Sequence, residues 1–183
     1  MQQRLRLHNW FFAVAVALAT TRAQGIPSTG WRLDPESAVQ ITVPANIRTS
    51  VGAELEYDDT VQIKGIAADL NGDGRIDYLL QSAPSLCGNS GCIYVLVDGA
   101  RGRRIGDFFG SPLIIRPARS HGYPLIATYS HTSFGSGEIV NFRFNGTKYV
   151  LAFTHRFAGR ALDQLIGELS RVPPWRPDTL PRE

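Results

Sequence analysis

The sequence contains few of the residue patterns on which enzymatic chemistry commonly depends. Lysine is limited to Lys64 and Lys148, and no phosphate-binding P-loop occurs. The metalloprotease pattern H-E-x-x-H is absent, and Phe134 replaces the first glycine of a G-x-S-x-G nucleophile motif around Ser136. These absences favour a function without catalysis and leave the question of enzymatic activity open.

The sequence also has no hydrophobic run long enough to span a bilayer, which takes roughly 20 residues. Its one long apolar run, Trp10–Ala19, follows two arginines and precedes small residues at the positions that signal peptidase reads. This pattern predicts a signal peptide over residues 1–23 with cleavage after Ala23, and cleavage after Ala19 is the alternative. We therefore expect a periplasmic or secreted protein with no membrane span in its mature form.

An excess of positive charge is lacking as well once the predicted signal peptide is removed. The full chain carries a formal net charge of +3, from 19 basic and 16 acidic residues. Arg4, Arg6 and Arg22 lie in the removed segment, so the mature chain has 16 residues of each sign. The composition thus gives no basis for nucleic-acid binding.

Cysteine occurs only twice, as Cys87 and Cys92 in the segment CGNSGC. In an exported chain, two cysteines this close predict a disulfide. A ring this small stabilises by only about 2 kcal/mol in the loop-entropy model, so we expect it to shape one loop. The alternative is a redox or metal-binding pair, but the sequence offers no third cysteine and no neighbouring histidine to support it.

Alternating apolar residues predict strands along most of the chain. The predicted segments are 37–44, 61–68, 78–82, 92–97, 113–116 and 125–130, followed by a hairpin over 138–153 whose turn is Asn145-Gly146. Apolar residues on one helical face predict a short helix over 161–169. The expected fold class is mainly β, with antiparallel blade-like sheets and a short C-terminal helix.

A shift of the chain by 47 residues aligns two stretches without gaps, including the turn pairs Asp98-Gly99 and Asn145-Gly146. This predicts two repeat units, 61–107 and 108–154, and chance alignment of two hairpins is the alternative. The units lie in a single β-rich domain over 36–170. An irregular segment over 24–35 is expected to precede it, and a disordered proline-rich tail over 171–183 to follow it.

The segment DLNGDGRIDYLL, residues 69–80, places side-chain oxygens at alternate positions. The oxygens belong to Asp69, Asn71, Asp73 and Asp77, and the backbone carbonyl of Arg75 adds another. Ca²⁺ takes six to eight oxygen ligands, so this spacing predicts a calcium loop. An EF-hand is not expected, because Leu80 replaces the closing glutamate and the flanks are strands. A polar β-turn without an ion is the alternative.

This D-x-N-x-D-G-x-x-D core, which runs into an apolar strand, resembles the calcium loop of FG-GAP and VCBS repeats, the blade units of integrin-type β-propellers. The resemblance implies Ca²⁺ ligands from Asp69, Asn71, Asp73, Asp77 and the Arg75 carbonyl. The stretch over 69–153 also resembles small exported bacterial proteins that pair this loop with a cysteine-containing segment and a hairpin like FNGTKY. That second resemblance implies no defined activity. The chain has room for about two blades, so a closed propeller is not expected.

We therefore expect an exported calcium-binding β-domain that acts as a non-enzymatic interaction module for a protein or glycan partner, with a structural Ca²⁺. The expected contact surface is the pair of loops over 83–92 and 129–137, and its candidate contact residues are Tyr129, His131 and Phe134. The alternative is an exported hydrolase, or a protein inhibitor of a hydrolase, that uses the 129–137 loop. In the enzyme version, His131 would act with Ser133 or Ser136.

Overall fold

The computed structural model describes residues 30–36, 38–57 and 62–176. The predicted signal peptide, the rest of the segment before Gly30 and the last residues, 177–183, lie outside the described residues. Two antiparallel five-stranded sheets make up most of the described chain. The prediction of a mainly β fold with open antiparallel sheets and a short C-terminal helix is confirmed.

Each sheet consists of four sequential strands and one N-terminal strand at its edge. Sheet A has the order β1-β7-β8-β9-β10, and sheet B has the order β2-β3-β4-β5-β6. The strands are β1 (Trp31–Leu33), β2 (Val39–Gln40), β3 (Lys64–Ala68), β4 (Asp77–Gln81), β5 (Cys92–Asp98), β6 (Arg103–Gly110), β7 (Leu113–Ser120), β8 (Tyr123–Ser133), β9 (Ser136–Phe144) and β10 (Tyr149–Ala158). The helices are α1 (Ala45–Val51) and α2 (Arg160–Arg171), with a 3₁₀ turn over Pro84–Leu86.

The main core lies between the two sheets, because one cluster of buried side chains draws on both. Sheet B contributes Ile66, Leu79 and Leu96, and sheet A contributes Leu113 and Ile126. Strands alternate their side chains between two faces, so each sheet supplies every second residue to this layer. Burial of this shared layer holds the sheets together.

Each helix covers part of an outer sheet face. α1 buries Ile47 and Val51 against sheet B, in a cluster that includes Val95. α2 buries Leu162, Leu165 and Leu169 in a second outer cluster, which contains Ile114, Ala127 and Ile139 of sheet A. The predicted C-terminal helix therefore exists, although Ile166, expected on its apolar face, is 47% exposed. No helix among the described residues has the length and apolarity needed to cross a membrane.

The segments at both ends of the domain are more ordered than the sequence suggests. The expectation of irregular structure over 24–35 does not hold for Trp31–Leu33, which forms β1 and pairs with β7. The expectation of disorder over 171–183 does not hold for its first residues, since Arg171 ends α2 and Trp175 is 1% exposed. Trp175 N donates to the Arg32 carbonyl at 2.8 Å, which fixes the tail beside β1.

The two predicted repeat units fall in different sheets. Strands β3 to β6 belong to sheet B, and β7 to β10 belong to sheet A. Both sets are four-strand meanders, and a shift of 47 residues places Asp77–Gln81 of β4 on a segment inside β8. Their origin by duplication stays a prediction.

A β-bulge in β10 changes which side chains share a face. Leu151 pairs with Phe142, but Phe153 pairs with Asn141, the preceding residue of β9. Neighbouring strand residues point to opposite faces, so Leu151 and Phe153 do as well. The apolar alternation of the sequence predicts Tyr149, Leu151 and Phe153 on one face of this strand. That prediction is wrong for Phe153, which the bulge places on the outer face of sheet A.

We predict that Trp175→Ala lowers the free energy of unfolding by about 3–5 kcal/mol, because it opens a cavity in the core between the sheets. Chemical denaturation of the mature chain measures this change. Phe134→Ala is the matched control, since the Phe134 side chain is fully exposed and its loss should leave stability unchanged. A loss below about 1 kcal/mol for Trp175→Ala would show that the tail does not anchor the core.

Candidate functional site

The acidic loop between β3 and β4 is closed by the side chain at its first position. The Asp69 carboxylate accepts hydrogen bonds from three backbone N–H groups, at 2.7, 3.1 and 2.8 Å, those of Gly72, Asp73 and Gly74. Gly72 and Gly74 both have φ of 82°, in the left-handed region that glycine adopts without a steric penalty. The two glycines therefore let the backbone curl around the Asp69 carboxylate.

Two further polar side chains of the loop turn toward the same place. Asn71 Oδ1 accepts from Asp73 N at 2.8 Å, and Asp73 Oδ1 accepts from Arg75 N at 2.8 Å. Asn71 Nδ2 also donates to Asp73 Oδ2 at 3.0 Å. Because Asp69 and Asn71 both accept from the Asp73 N–H, the polar groups of these three residues lie close together at the mouth of the loop.

Asp77, the last acidic residue of the motif, has a different environment. It is 1% exposed and lies at the start of β4, below the mouth of the loop. Its Oδ2 accepts from Leu70 N at 3.1 Å. Its Oδ1 accepts from Gly99 N at 3.1 Å and from the Tyr123 hydroxyl at 3.3 Å. One carboxylate thus ties the loop, the β5–β6 turn and sheet A together.

Burial raises the pKa of Asp77 to about 6, because the charged form loses its hydration. The N–H groups of Gly99 and Leu70 act in the opposite direction, since they favour the charged carboxylate. Nearby Asp98 raises the pKa further through repulsion between like charges. A buried carboxylate flanked by a second acid is a local concentration of negative charge at this end of the sandwich.

Sequence reasoning missed the residues of sheet A that hold the loop. The Tyr123 hydroxyl accepts from Asn71 Nδ2 at 3.1 Å and donates to Asp77. Arg119 Nη1 donates to the Leu70 carbonyl at 2.7 Å. Both partners come from β7 and β8, more than 40 residues along the chain. No local pattern in the sequence could identify them.

The turn pair Asp98-Gly99 is required by packing as well as by turn geometry. A Cβ atom at Gly99 would lie 1.6 Å from the Ile76 carbonyl oxygen, so any larger residue would separate the turn from the loop. The N–H of Gly99 then reaches the Asp77 carboxylate. This contact explains why position 99 is glycine. The sequence alone indicates Gly99 only as part of a hairpin turn.

The donor set of the loop has the chemistry that Ca²⁺ prefers, because it consists of oxygens only. Within the described ranges, however, no group of three or more His, Cys, Asp or Glu side chains is placed to hold a metal ion. A calcium ligand set would therefore also need the neutral oxygens of Asn71 and of the Arg75 carbonyl, beside Asp69 and Asp73. Participation of Asp77 stays a prediction, since that carboxylate already accepts three hydrogen bonds.

The two predicted contact loops meet at one place. The Cys87–Cys92 disulfide is present, as predicted, and it closes the connection between β4 and β5. In this small ring, Ser90 Oγ donates to the His131 carbonyl at 3.3 Å. The disulfide loop therefore lies against the base of the β8–β9 hairpin.

The three candidate contact residues of this hairpin differ in exposure. Phe134 forms the tip and its side chain is fully exposed, and His131 is exposed as well. Tyr129 is half-buried and packs with the cluster under α2. It also lies over Gly137, where an added Cβ would be 2.6 Å from its ring. The accessible candidates are thus His131 and Phe134.

Three hydroxyl groups cluster beside the hairpin tip. Ser136 Oγ lies 3.0 Å from Thr132 Oγ1 and 2.5 Å from Ser133 Oγ. Among the described residues, no hydrogen bond joins the His131 imidazole to Ser133 or Ser136. The Ser–His pair of the hydrolase alternative is therefore not formed, and the alternative stays an untested hypothesis.

The acidic loop and the contact loops lie at opposite ends of the sandwich. The acidic loop enters β4 at Asp77, and the disulfide loop begins just after Gln81, where that strand ends. Similarly, β8 begins at Tyr123, which contacts the acidic loop, and ends at Ser133 beside the tip. An 11-residue strand spans roughly 35 Å.

The comparisons with known proteins identify no relative from which function could be transferred. No protein-family model, curated protein or solved structure matches the chain. Evidence on the function therefore comes from the residues and geometry of the chain itself.

Proposed function

We propose that the protein is an exported β-domain that binds Ca²⁺ at the 69–77 loop and a protein or glycan partner at the opposite end. In this proposal, the ion stabilises the domain and takes no part in catalysis. The observation that carries the binding function is the fully exposed Phe134 at the tip of a paired hairpin. Contact with a partner would remove the apolar surface of the Phe134 ring from water, which is favourable.

The calcium part of the proposal is supported by the mouth of the acidic loop. Asp69, Asn71 and Asp73 gather there, on a backbone already fixed by five hydrogen bonds to their side chains. Two carboxylates about 4 Å apart repel by roughly 4 kcal/mol at an effective dielectric of 20, and a divalent cation would remove that cost. Arg75 and Asp77 complete the proposed ligand set, through a carbonyl and a carboxylate.

Export is supported by the disulfide and by the predicted signal peptide. Disulfides persist in oxidising compartments, and Cys87 and Cys92 are bonded to each other here. Free Ca²⁺ is plentiful in such compartments, and extracellular calcium modules often bind at about 10⁻⁴ to 10⁻³ M. We therefore propose weak calcium binding in the same range.

The position of the hairpin supports partner binding rather than a purely structural role. The hairpin remains paired as far as Ser133 and Ser136, so the tip is presented on an ordered base. Ser90 of the disulfide loop braces that base through the His131 carbonyl. A braced apolar tip loses little conformational freedom on binding, which favours affinity.

The inhibitor alternative uses the same hairpin. An exposed Phe134 side chain on a narrow two-stranded base fits a cleft better than a flat surface. In that case the partner would be an exported hydrolase whose active-site cleft accepts the ring. A panel of peptidases and glycosidases assayed with the mature protein tests this version.

Calcium should raise the melting temperature of the mature protein. At 10 mM Ca²⁺, the affinities proposed above give about 1.4 to 2.7 kcal/mol of stabilisation. For a chain of this size, that corresponds to a rise of about 3–10 °C over the protein in chelator. Differential scanning calorimetry at constant ionic strength measures it, with 10 mM Mg²⁺ as a third condition.

Asp73→Asn separates ion binding from general charge effects, because it keeps the shape of the side chain and removes one carboxylate. The variant should lose most of the calcium-induced shift. Asp163→Asn is the matched control, since Asp163 is exposed on α2, and it should keep the full shift. The same melting temperature for the wild type with Ca²⁺ and with chelator would exclude the calcium proposal.

Phe134→Ser should abolish capture of the partner from the exported fraction without changing the melting temperature. Phe109→Ser is the matched control, because Phe109 is also an exposed aromatic residue but belongs to β6. Quantitative mass spectrometry after pull-down with the wild type and both variants measures the difference. Equal recovery with Phe134→Ser and Phe109→Ser would contradict a contact role for the hairpin tip.

A further inference from the structure

We propose that the outer face of sheet A binds a small amphipathic carboxylate, with its acid group on Arg116 and Arg143. The site is the groove beside α2, defined by Arg116, Leu125, Arg143, Phe153, Leu165 and Glu168. Its volume is about 710 Å³, within the range of roughly 300–1,000 Å³ that small-molecule sites occupy. The proposal is independent of the calcium loop and of the hairpin tip.

The groove exists because α2 covers only part of the sheet. The helix buries Ile114, Ala127 and Ile139, and the sheet surface beyond them is left open. The bulge in β10 then places Phe153 on this same face, where it is 55% exposed. An aromatic ring and the side of a helix thus form two walls of an open apolar groove.

The two arginines lie on the same face at the far end of this groove. Ile126 of β8 pairs with Ile115 of β7 and with Phe142 of β9. The next residue is Leu125 on β8 and Arg143 on β9, and Arg116 follows Ile115 at the point where the register of β7 on β8 shifts. Arg116, Leu125 and Arg143 all line the groove. Neighbouring strands lie about 4.8 Å apart, so β7 and β9, on either side of β8, are roughly 10 Å from each other. The long side chains of the two arginines can converge on one anion over Leu125.

Within the described ranges, neither arginine has a partner that would occupy its guanidinium group. Arg116 Nε is buried and has no hydrogen-bond acceptor in the part of the chain that the structure describes. Among the described residues, no carboxylate lies within ion-pair distance of Arg116 or Arg143. Guanidinium groups bind carboxylates through paired N–H donors, so an incoming acid would satisfy the buried Nε.

The rest of the lining selects a ligand with a single negative charge and an apolar body. Phe153, Phe157 and Leu165 offer an apolar surface along the groove. Glu168 on the helix wall is the only acidic residue of the lining among the residues described, and it disfavours a second negative charge on the ligand. An alkyl or aryl monocarboxylate matches this arrangement of charge.

Calorimetric titration of the mature protein with decanoate tests the proposal, with 1-decanol and decylamine as probes of the same chain length. We expect decanoate to bind, decanol to bind at least about tenfold more weakly, and decylamine to bind not at all. Titration with 4-phenylbutyrate then distinguishes an aryl from an alkyl ligand, and binding of either acid supports the site. ¹⁵N-resolved chemical shifts should move at Leu125, Arg143 and Phe153.

Arg143→Gln and the double variant Arg116→Gln/Arg143→Gln should weaken decanoate binding, the double variant by about tenfold or more. Arg156→Gln is the matched control, because Arg156 is exposed on β10 and lies outside the groove. If the double variant does not fold, the exposed Arg143→Gln variant alone decides the question. Equal affinity for decanoate and decanol, or unchanged affinity in Arg143→Gln, would overturn the proposal.

Discussion

The burial of the Asp77 carboxylate is the constraint around which this end of the protein is organised. A buried charge is costly unless hydrogen bonds replace its hydration, and Asp77 receives them from three separate elements. Leu70 N belongs to the acidic loop, Gly99 N to the β5–β6 turn and the Tyr123 hydroxyl to sheet A. Each of these elements must therefore hold its position for the carboxylate to remain satisfied. The same requirement explains why a turn glycine approaches the Ile76 carbonyl so closely that no side chain fits there.

The fold class and the acidic loop could be predicted from the sequence because their signals are local. Alternating apolar residues and Asn-Gly or Asp-Gly pairs identify most strands of the two meanders. Alternation does not identify β6, since RRIGDFFG places glycine and charge where the pattern expects apolar residues, and only the hairpin turn Asp98-Gly99 indicates a strand there. β1 and the buried Trp175 were also missed, because short segments rich in proline and glycine look irregular until their tertiary contacts are known.

The contacts of the candidate sites could not be predicted, because they connect residues that are distant in sequence. Tyr123 and Arg119 reach the acidic loop from 46 and 49 residues along the chain. Ser90 reaches the His131 carbonyl from 41 residues away. The bulge in β10 has no local signal either, and without it Phe153 would lie on the opposite face of the sheet. In each case the residues of the motif lie in one segment, and the residues that surround them lie in another.

The distance between the two proposed sites limits how one could influence the other. The acidic loop and the hairpin tip are separated by the length of β8, roughly 35 Å for its 11 residues. A bound ion at the loop could not contact a partner at Phe134, so any coupling would have to pass through the strand itself. Tyr123, the first residue of β8, is hydrogen-bonded to Asn71 and Asp77 and packs against Phe144 and Tyr149. Because β8 pairs with β7 from Tyr123 to Thr128 and with β9 from Ile126 to Ser133, fixing its first residue would restrain the strand that leads to the hairpin without altering the tip. This geometry favours an ion that adds stability over one that switches partner binding on and off.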